Sequence, residues 1–198
     1  MRICFIGDSF VNGTGDNDSL GWVGRIGAAA RQRGQDLTTY NLGVRRDTSS
    51  DIFSRWQQEA RLRLPDSCDG RLVFSFGTND CCLGDDGDIR VSLSHSLANA
   101  QSILSGARAW RPTLMIGPLP VSDNAAADVR ISELSEAFGN LCSGLGVPYL
   151  EVFSAIASNQ AWKREAARCD GTHPNTEGYA ALANLIGDWT AWRNWFAA

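Results

Sequence analysis

The sequence predicts an α/β fold in three layers, with a five-stranded parallel sheet between two layers of helices, in one domain spanning residues 1–198. Three observations carry this reading. Short unbroken apolar runs recur along the chain, as strands covered on both faces require. Amphipathic stretches with helical periodicity separate them. The first three runs each end in a polar turn that contains glycine. Strands and helices alternating in this way imply parallel pairing and right-handed crossovers.

The first run is Ile3, Cys4, Phe5 and Ile6, stopped by Gly7-Asp8-Ser9-Phe10 and followed by the loop Asn12-Gly13-Thr14-Gly15. Residues 21–33 read as a helix with Trp22, Val23, Ile26, Ala29 and Ala30 on one face and Gly34 past its end. Residues 37–42 are the second strand, which runs through Asn41-Leu42 into Gly43. Thr48, Ser49, Ser50 and Asp51 offer caps for a helix reaching residue 64, with Ile52, Phe53, Trp56 and Ala60 inward and Pro65 beyond it.

Residues 71–76 are the third strand, followed by Gly77-Thr78-Asn79-Asp80 and a loop rich in Gly and Asp. A helix at 89–109 places Leu93, Leu97, Ala100 and Leu104 on its buried stripe. Residues 113–116 form the fourth strand, closed by Gly117-Pro118-Leu119-Pro120. A helix at 125–145 ends at Gly146, and residues 148–152 are the fifth strand. A helix at 175–196 ends the chain; its Trp189, Trp192 and Trp195 pack it on the sheet or mark a partner surface. Five strands in this rhythm suit the flavodoxin-like order 2-1-3-4-5. Ligands then bind beyond the carboxyl ends of the strands, which lines up Ser9, Gly43 and Asn79 on one rim.

Composition narrows the partners. Hydrophobic residues make up 43% and charged residues 20%, enough for a core of three layers. A net charge of −4 without a basic block argues against nucleic acid. No apolar stretch approaches the ~18 residues of a membrane span, and Met1-Arg2 leads straight into a strand rather than a signal segment. These features, with six cysteines read as free thiols (Cys4, Cys68, Cys81, Cys82, Cys142 and Cys169), point to the cytoplasm. There is no C-x-x-C and no metal site is expected.

The chemistry gathers on the rim. A serine hydroxyl is a poor nucleophile until a base removes its proton. The chain holds two histidines. His95 falls within a predicted helix and reads as a flank residue, whereas His173 lies in the loop Asp170-Gly171-Thr172-His173-Pro174 near the C-terminus. Asp170, three residues before it, can meet the imidazole Nδ1 and fix its tautomer. Asn79 offers a side-chain amide, and Ser9 and Gly43 offer backbone N–H groups, for an oxyanion. Asp80 reads as a carboxylate that holds its loop.

Together these segments resemble the GDSL or SGNH hydrolase superfamily of esterases and lipases, whose four namesake residues match Ser9, Gly43, Asn79 and His173 in order. Phe10 stands where that family's name has leucine. The resemblance implies Ser9 as nucleophile, His173 as base and Asp170 as its partner, with an oxyanion hole from Ser9, Gly43 and Asn79. It implies a small-molecule ester substrate and no cofactor. Without an inserted lid, the site is expected to be small and to favour short acyl groups. Leu119, Val121, Leu83 and Cys82 are candidates for the acyl chain, and Arg45 or Arg46 for an anionic part of the substrate. The protein is expected to be a monomer or a homodimer.

Two other readings use the same residues. Asp8, Asn79, Asp80, Asp170 and His173 could imitate the hard ligands of a metal-dependent phosphoesterase, although one rim histidine leaves such a site poor in ligands. A flavodoxin-like scaffold could also serve as a non-catalytic binding module, since fold alone does not settle function.

Overall fold

The computed structural model describes residues 1–197. Its single sheet contains β1 (Arg2–Gly7), β2 (Thr38–Gly43), β3 (Gly70–Ser75), β4 (Thr113–Ile116) and β5 (Tyr149–Leu150). All pairs are parallel and the order is β2-β1-β3-β4-β5, the expected flavodoxin-like arrangement. Gly7 lies in register with Gly43 on one side and Ser75 on the other. The strands β2, β1 and β3 therefore end together, and the loops that follow them share one rim.

Nine helices occur among the described residues: α1 (Ser9–Asn12), α2 (Gly21–Gln32), α3 (Ser49–Arg63), α4 (Leu93–Trp110), α5 (Ala125–Leu145), α6 (Phe153–Ala157), α7 (Gln160–Arg168), α8 (Thr176–Asp188) and α9 (Thr190–Arg193). None is long and apolar enough to cross a membrane. Side chains alternate across a strand, and β1 shows why its apolar run is unbroken. Ile3 and Phe5 enter a core with Trp22, Ile26, Trp162, Tyr179 and Ile186, from α2, α7 and α8. Cys4 and Ile6 enter the opposite core with Trp56, Ala100, Ile103 and Phe138, from α3, α4 and α5. Each large apolar side chain so buried is worth ~1.5–3 kcal/mol.

Several boundaries depart from the sequence reading. The helix expected at 89–109 begins only at Leu93, because Ile89 instead pairs with Leu83 in an antiparallel bridge and the Ser92 hydroxyl caps the first turn at His95 N–H. Leu93 and Phe53, expected inward, are exposed. The fifth strand keeps two residues, Tyr149 and Leu150. The last helix breaks at Trp189, whose extended backbone separates α8 from α9. Trp192 and Trp195 nonetheless pack inward, with Trp192 6.2 Å from the Phe5 ring and 5.9 Å from Trp195. Helices α6 and α7 were not anticipated. Asn159 caps α7 by accepting from Trp162 N–H, and the buried pair Trp162 and Ala166 gives it a four-residue inward stripe.

Candidate active site

Ser9 is the first residue of α1, at the carboxyl end of β1. Asp8 caps this short helix by accepting the Phe10 N–H at 3.0 Å. As the first helical residue, Ser9 has no intrahelical acceptor for its own N–H. Gly7 leaves no room for a side chain: a Cβ there would lie 2.0 Å from Ser75 O. The nucleophile candidate thus stands on a turn tightly fitted between two strands.

His173 comes from 164 positions further along, yet its Nε2 lies 2.7 Å from Ser9 Oγ. Its Nδ1 lies 2.7 Å from Asp170 Oδ2. Asp170 Oδ1 accepts the backbone N–H groups of His173 at 2.8 Å and Thr172 at 3.1 Å. Partial burial opposes ionisation of Asp170, but these backbone donors and the imidazole outweigh it and hold its carboxyl at about 2. A carboxylate that stays ionised fixes Nδ1 as the protonated nitrogen, leaving Nε2 to accept from Ser9. Ser9 and His173 are 4% and 6% exposed.

The loops that present these residues are stitched from beneath. Asp16 accepts from the N–H groups of Asp18, Leu20 and Gly21, pairs with Arg25, and receives the Thr176 hydroxyl. Burial disfavours its charge, yet the Arg25 guanidinium and these N–H groups keep its carboxyl below the ordinary range. Glu165 on α7 accepts from the N–H groups of Asn175, Glu177 and Gly178, just after His173. Tyr179 donates its hydroxyl to Thr14 O at 2.7 Å. Gly15 adopts a φ of 90° where a Cβ would meet Pro174 O at 2.8 Å, so the two loops touch only because it is glycine.

Asn79 opens a short 3₁₀ turn (Asn79–Cys81) after β3. Its Nδ2 donates to Asp47 O at 3.0 Å, which leaves its second amide hydrogen for a ligand. Arg55 holds Asp47 in turn, Nε to Oδ2 at 2.6 Å, and donates to Gly7 O at 2.9 Å. Asp80 is fully buried and accepts from Ser49 N–H and Ser96 Oγ, each at 2.7 Å. Burial pushes its carboxyl up against these bonds. It ties the Asn79 turn to α3 and α4 rather than facing the rim.

Gly43 requires a correction. Its N–H already donates to Asn41 Oδ1 at 3.0 Å, and Asn41 Nδ2 donates to Val11 O at 2.7 Å. A Cβ at Gly43 would lie 2.1 Å from Asn12 N. Glycine is needed there because the end of α1 packs on it, not because it presents a free donor. Three residues on, Arg46 adopts a φ of 71° in a turn closed by Asp47 N–H on Val44 O at 3.3 Å. Left-handed backbone is strained for so bulky a residue. The Arg46 N–H has no acceptor among the described residues, and its carbonyl accepts from Arg90 at 2.8 Å.

The remaining predicted residues divide. Arg45 is exposed and reaches Asp170 Oδ2 at 3.5 Å. Leu83 is exposed on the loop after Asn79, and Cys82 is half-buried with its thiol on Thr78 O at 3.4 Å. Leu119 and Val121 are buried in the two cores rather than open to the rim, and the Thr78 hydroxyl clamps both backbone groups of Leu119. Among the described residues no three His, Cys, Asp or Glu side chains gather as a metal site, and the six cysteines are unpaired. Sequence reasoning missed Asp16, Glu165, Asn41 and the Arg46 amide. Asn41 carried the faint signal of an Asx residue two positions before a glycine.

No curated protein matches the chain. Among solved structures it is similar to a lipase/acylhydrolase from Enterococcus faecalis at 21% identity, covering 97% of this chain and 96% of that one with a TM-score of 0.76. It is similar to Axe2, an acetylxylan esterase from Geobacillus stearothermophilus, at 16% identity over 96% and 95% of the two chains with a TM-score of 0.76. It also resembles LAE5, an alpha/beta hydrolase from the Lake Arreo metagenome, at 19% identity over 93% and 92% with a TM-score of 0.73. These likenesses establish a shared fold. The model of the GDSL-like lipase/acylhydrolase family matches residues 5–181, which takes in every residue of the rim, and the chain is therefore a member of that family and a GDSL-type esterase.

Proposed function

We propose that the protein cleaves carboxylic esters with short acyl groups through an acyl-serine intermediate on Ser9. The observation that carries this is the unbroken relay from Ser9 Oγ through His173 to Asp170, with both steps at 2.7 Å. Ser9 Oγ attacks the ester carbonyl carbon as its proton passes to His173 Nε2. The tetrahedral oxyanion accepts from Ser9 N–H, from the second hydrogen of Asn79 Nδ2 and from Arg46 N–H, which takes the place expected of Gly43. Collapse breaks the bond to the alcohol oxygen, which receives the proton from His173. Water then repeats the attack on the acyl-enzyme and releases the acid. Each preplaced donor is worth ~3 kcal/mol where charge develops.

The near-complete burial of Ser9 and His173 supports short acyl groups, and Arg45 beside Asp170 supports a contact with an anionic substituent. Six unpaired thiols suit a reducing compartment, so we place the protein in the cytoplasm. Solution mass distinguishes monomer from homodimer.

The test is a panel of p-nitrophenyl esters from acetyl to octanoyl, with acetylated xylo-oligosaccharides because Axe2 is named for acetylxylan, run on wild type and Ser9→Ala. The expected result is a preference for the shortest acyl groups and a loss of at least ~10⁴-fold in kcat for Ser9→Ala. A Ser9→Ala enzyme that keeps its rate, or Ser9 unlabelled by an organophosphonate ester that inactivates the protein, overturns the acyl-serine route. A rate that rises steadily to octanoyl overturns the short-chain part alone.

A further inference from the structure

An aromatic column lies against the catalytic imidazole. Phe10 follows the candidate nucleophile in sequence and is buried. Its ring centroid is 5.0 Å from that of His173, with planes at 44°. On the Trp162 side the rings are 5.6 Å apart and nearly stacked, at 29°. Trp162 in turn meets Tyr179 edge-on at 5.9 Å. The column is built from three distant segments, α1, α7 and α8. Trp162 is fully buried with no acceptor for its indole N–H, so the ring is held by packing alone.

An aromatic face carries negative charge density, and a cation within ~6 Å of its centroid is attracted to it. Within the proposed cycle, His173 is a cation between taking the Ser9 proton and passing it to the leaving alcohol. An interaction stronger with imidazolium than with imidazole favours that stage over the resting state, which is the kind of binding that accelerates a reaction. We propose that Phe10 is a positioning residue that selectively stabilises the protonated form of His173 and thereby sets the pH at which the base becomes available. The proposal rests on the acyl-serine reading. A leucine at this position would fill similar space without supplying the charge density of the ring.

Other charged and titratable groups near the imidazole stay in place when only this ring changes. Asp170 pairs with Nδ1, and Arg45 reaches the same Asp170 oxygen. Asp8 is buried beside Ser9, Tyr179 gives its hydroxyl to Thr14 O, and Cys169 sits beside Gly15.

The experiment replaces Phe10 by leucine and, separately, by phenylalanines carrying one, two and three ring fluorines, which preserve shape while draining charge from the face. Two readouts are taken: the pH profile of kcat/KM on a short ester, and the NMR titration of the two histidine rings, with exposed His95 as internal reference. For Phe10→Leu the acid limb and the His173 titration are expected to move down by about half to one pH unit. The fluorinated series is expected to fall between, in order of fluorine count, with His95 unmoved. A flat series overturns the proposal even if Phe10→Leu shifts, since shape alone would then be responsible. If Phe10→Leu does not fold, the fluorinated series decides. Because the NMR titration needs no turnover, a graded His173 shift in a protein without esterase activity would sink the acyl-serine reading and leave the ring's effect on the imidazole standing.

Discussion

The two walls of the active-site rim are built differently. On one side, the loops carrying Ser9 and His173 are bound by carboxyl groups that accept backbone N–H groups: Asp8 takes one at α1, whereas Asp16 in the loop after it and Glu165 beneath Asn175 and Gly178 take three each. On the other side, the loop after Asn79 is anchored at its base by Asp80 but exposes Leu83 and Ile89 at its tip. The wall carrying Ser9, Asp170 and His173 is polar and cross-linked between chain segments about 160 positions apart. The loop after Asn79 is rich in Gly and Asp, carries exposed Leu83 and Ile89, and is held by the bridge of Leu83 to Ile89 and by Arg90, which donates to Arg46 O. The proposed proton transfer needs fixed geometry, which the carboxyl-bound side supplies, whereas the loop after Asn79 is tied down mainly at its base.

Substitutions on the two walls test that contrast. Asn79→Ala is expected to lower kcat by ~10²–10³-fold, as loss of an oxyanion donor does, with little change in KM; an unchanged kcat in a folded variant would remove Asn79 from the hole. Asp16→Ala is expected to destabilise by ~3 kcal/mol, because Arg25 and three N–H groups lose their partner. Thermal unfolding reads this as a fall of ~6–12 °C, and a fall no larger than that of a surface control would mean the cross-linking is incidental.

Asp8→Asn gives a pH-dependent change. Burial raises the Asp8 carboxyl to about 7, with Asp80 and Asp47 adding to it and the Phe10 N–H opposing. A folded-state value above the ordinary ~3.9 means stability declines as pH rises from ~4 through about 7. Asparagine can still accept the Phe10 N–H and carries no charge. The variant is therefore expected to melt higher than wild type at pH 8 and at nearly the same temperature at about pH 4; an equal difference at both would refute the buried-acid account. The smallest effect is assigned to Leu83→Ser: a change of about twofold in KM for short esters and a stability change within ~0.5 kcal/mol. A loss of kcat comparable to that of Asn79→Ala would show that the second wall also positions catalytic groups.

The fold was legible because its signals are local and repeated. Each strand buried on both faces had to be apolar at every position, as Ile3 to Ile6 are, and each helix had to show its stripe. The misread boundaries are places where tertiary contacts override such patterns: Ile89 pairs with Leu83 instead of starting α4, and Trp189 extends instead of continuing α8. At the site, residue types with one chemical use stood out: one loop histidine, a carboxylate three positions before it, and a serine at a strand end. Gly43 misled because glycine signals either a free backbone or a crowded one, and only the approach of Asn12 shows which applies.

The sequence by itself determined the layered parallel fold and nominated Ser9, Asp170, His173 and Asn79, since hydrophobic period and side-chain chemistry are properties of the residues themselves. Tertiary structure alone decided that Gly43 N–H is taken by Asn41, that Leu119 and Val121 turn into the cores, and that Phe10 lies against the imidazole with Trp162 stacked on it. These depend on distances between segments far apart in the chain. No local pattern encodes such distances, because they follow from how all the helices settle on the sheet at once.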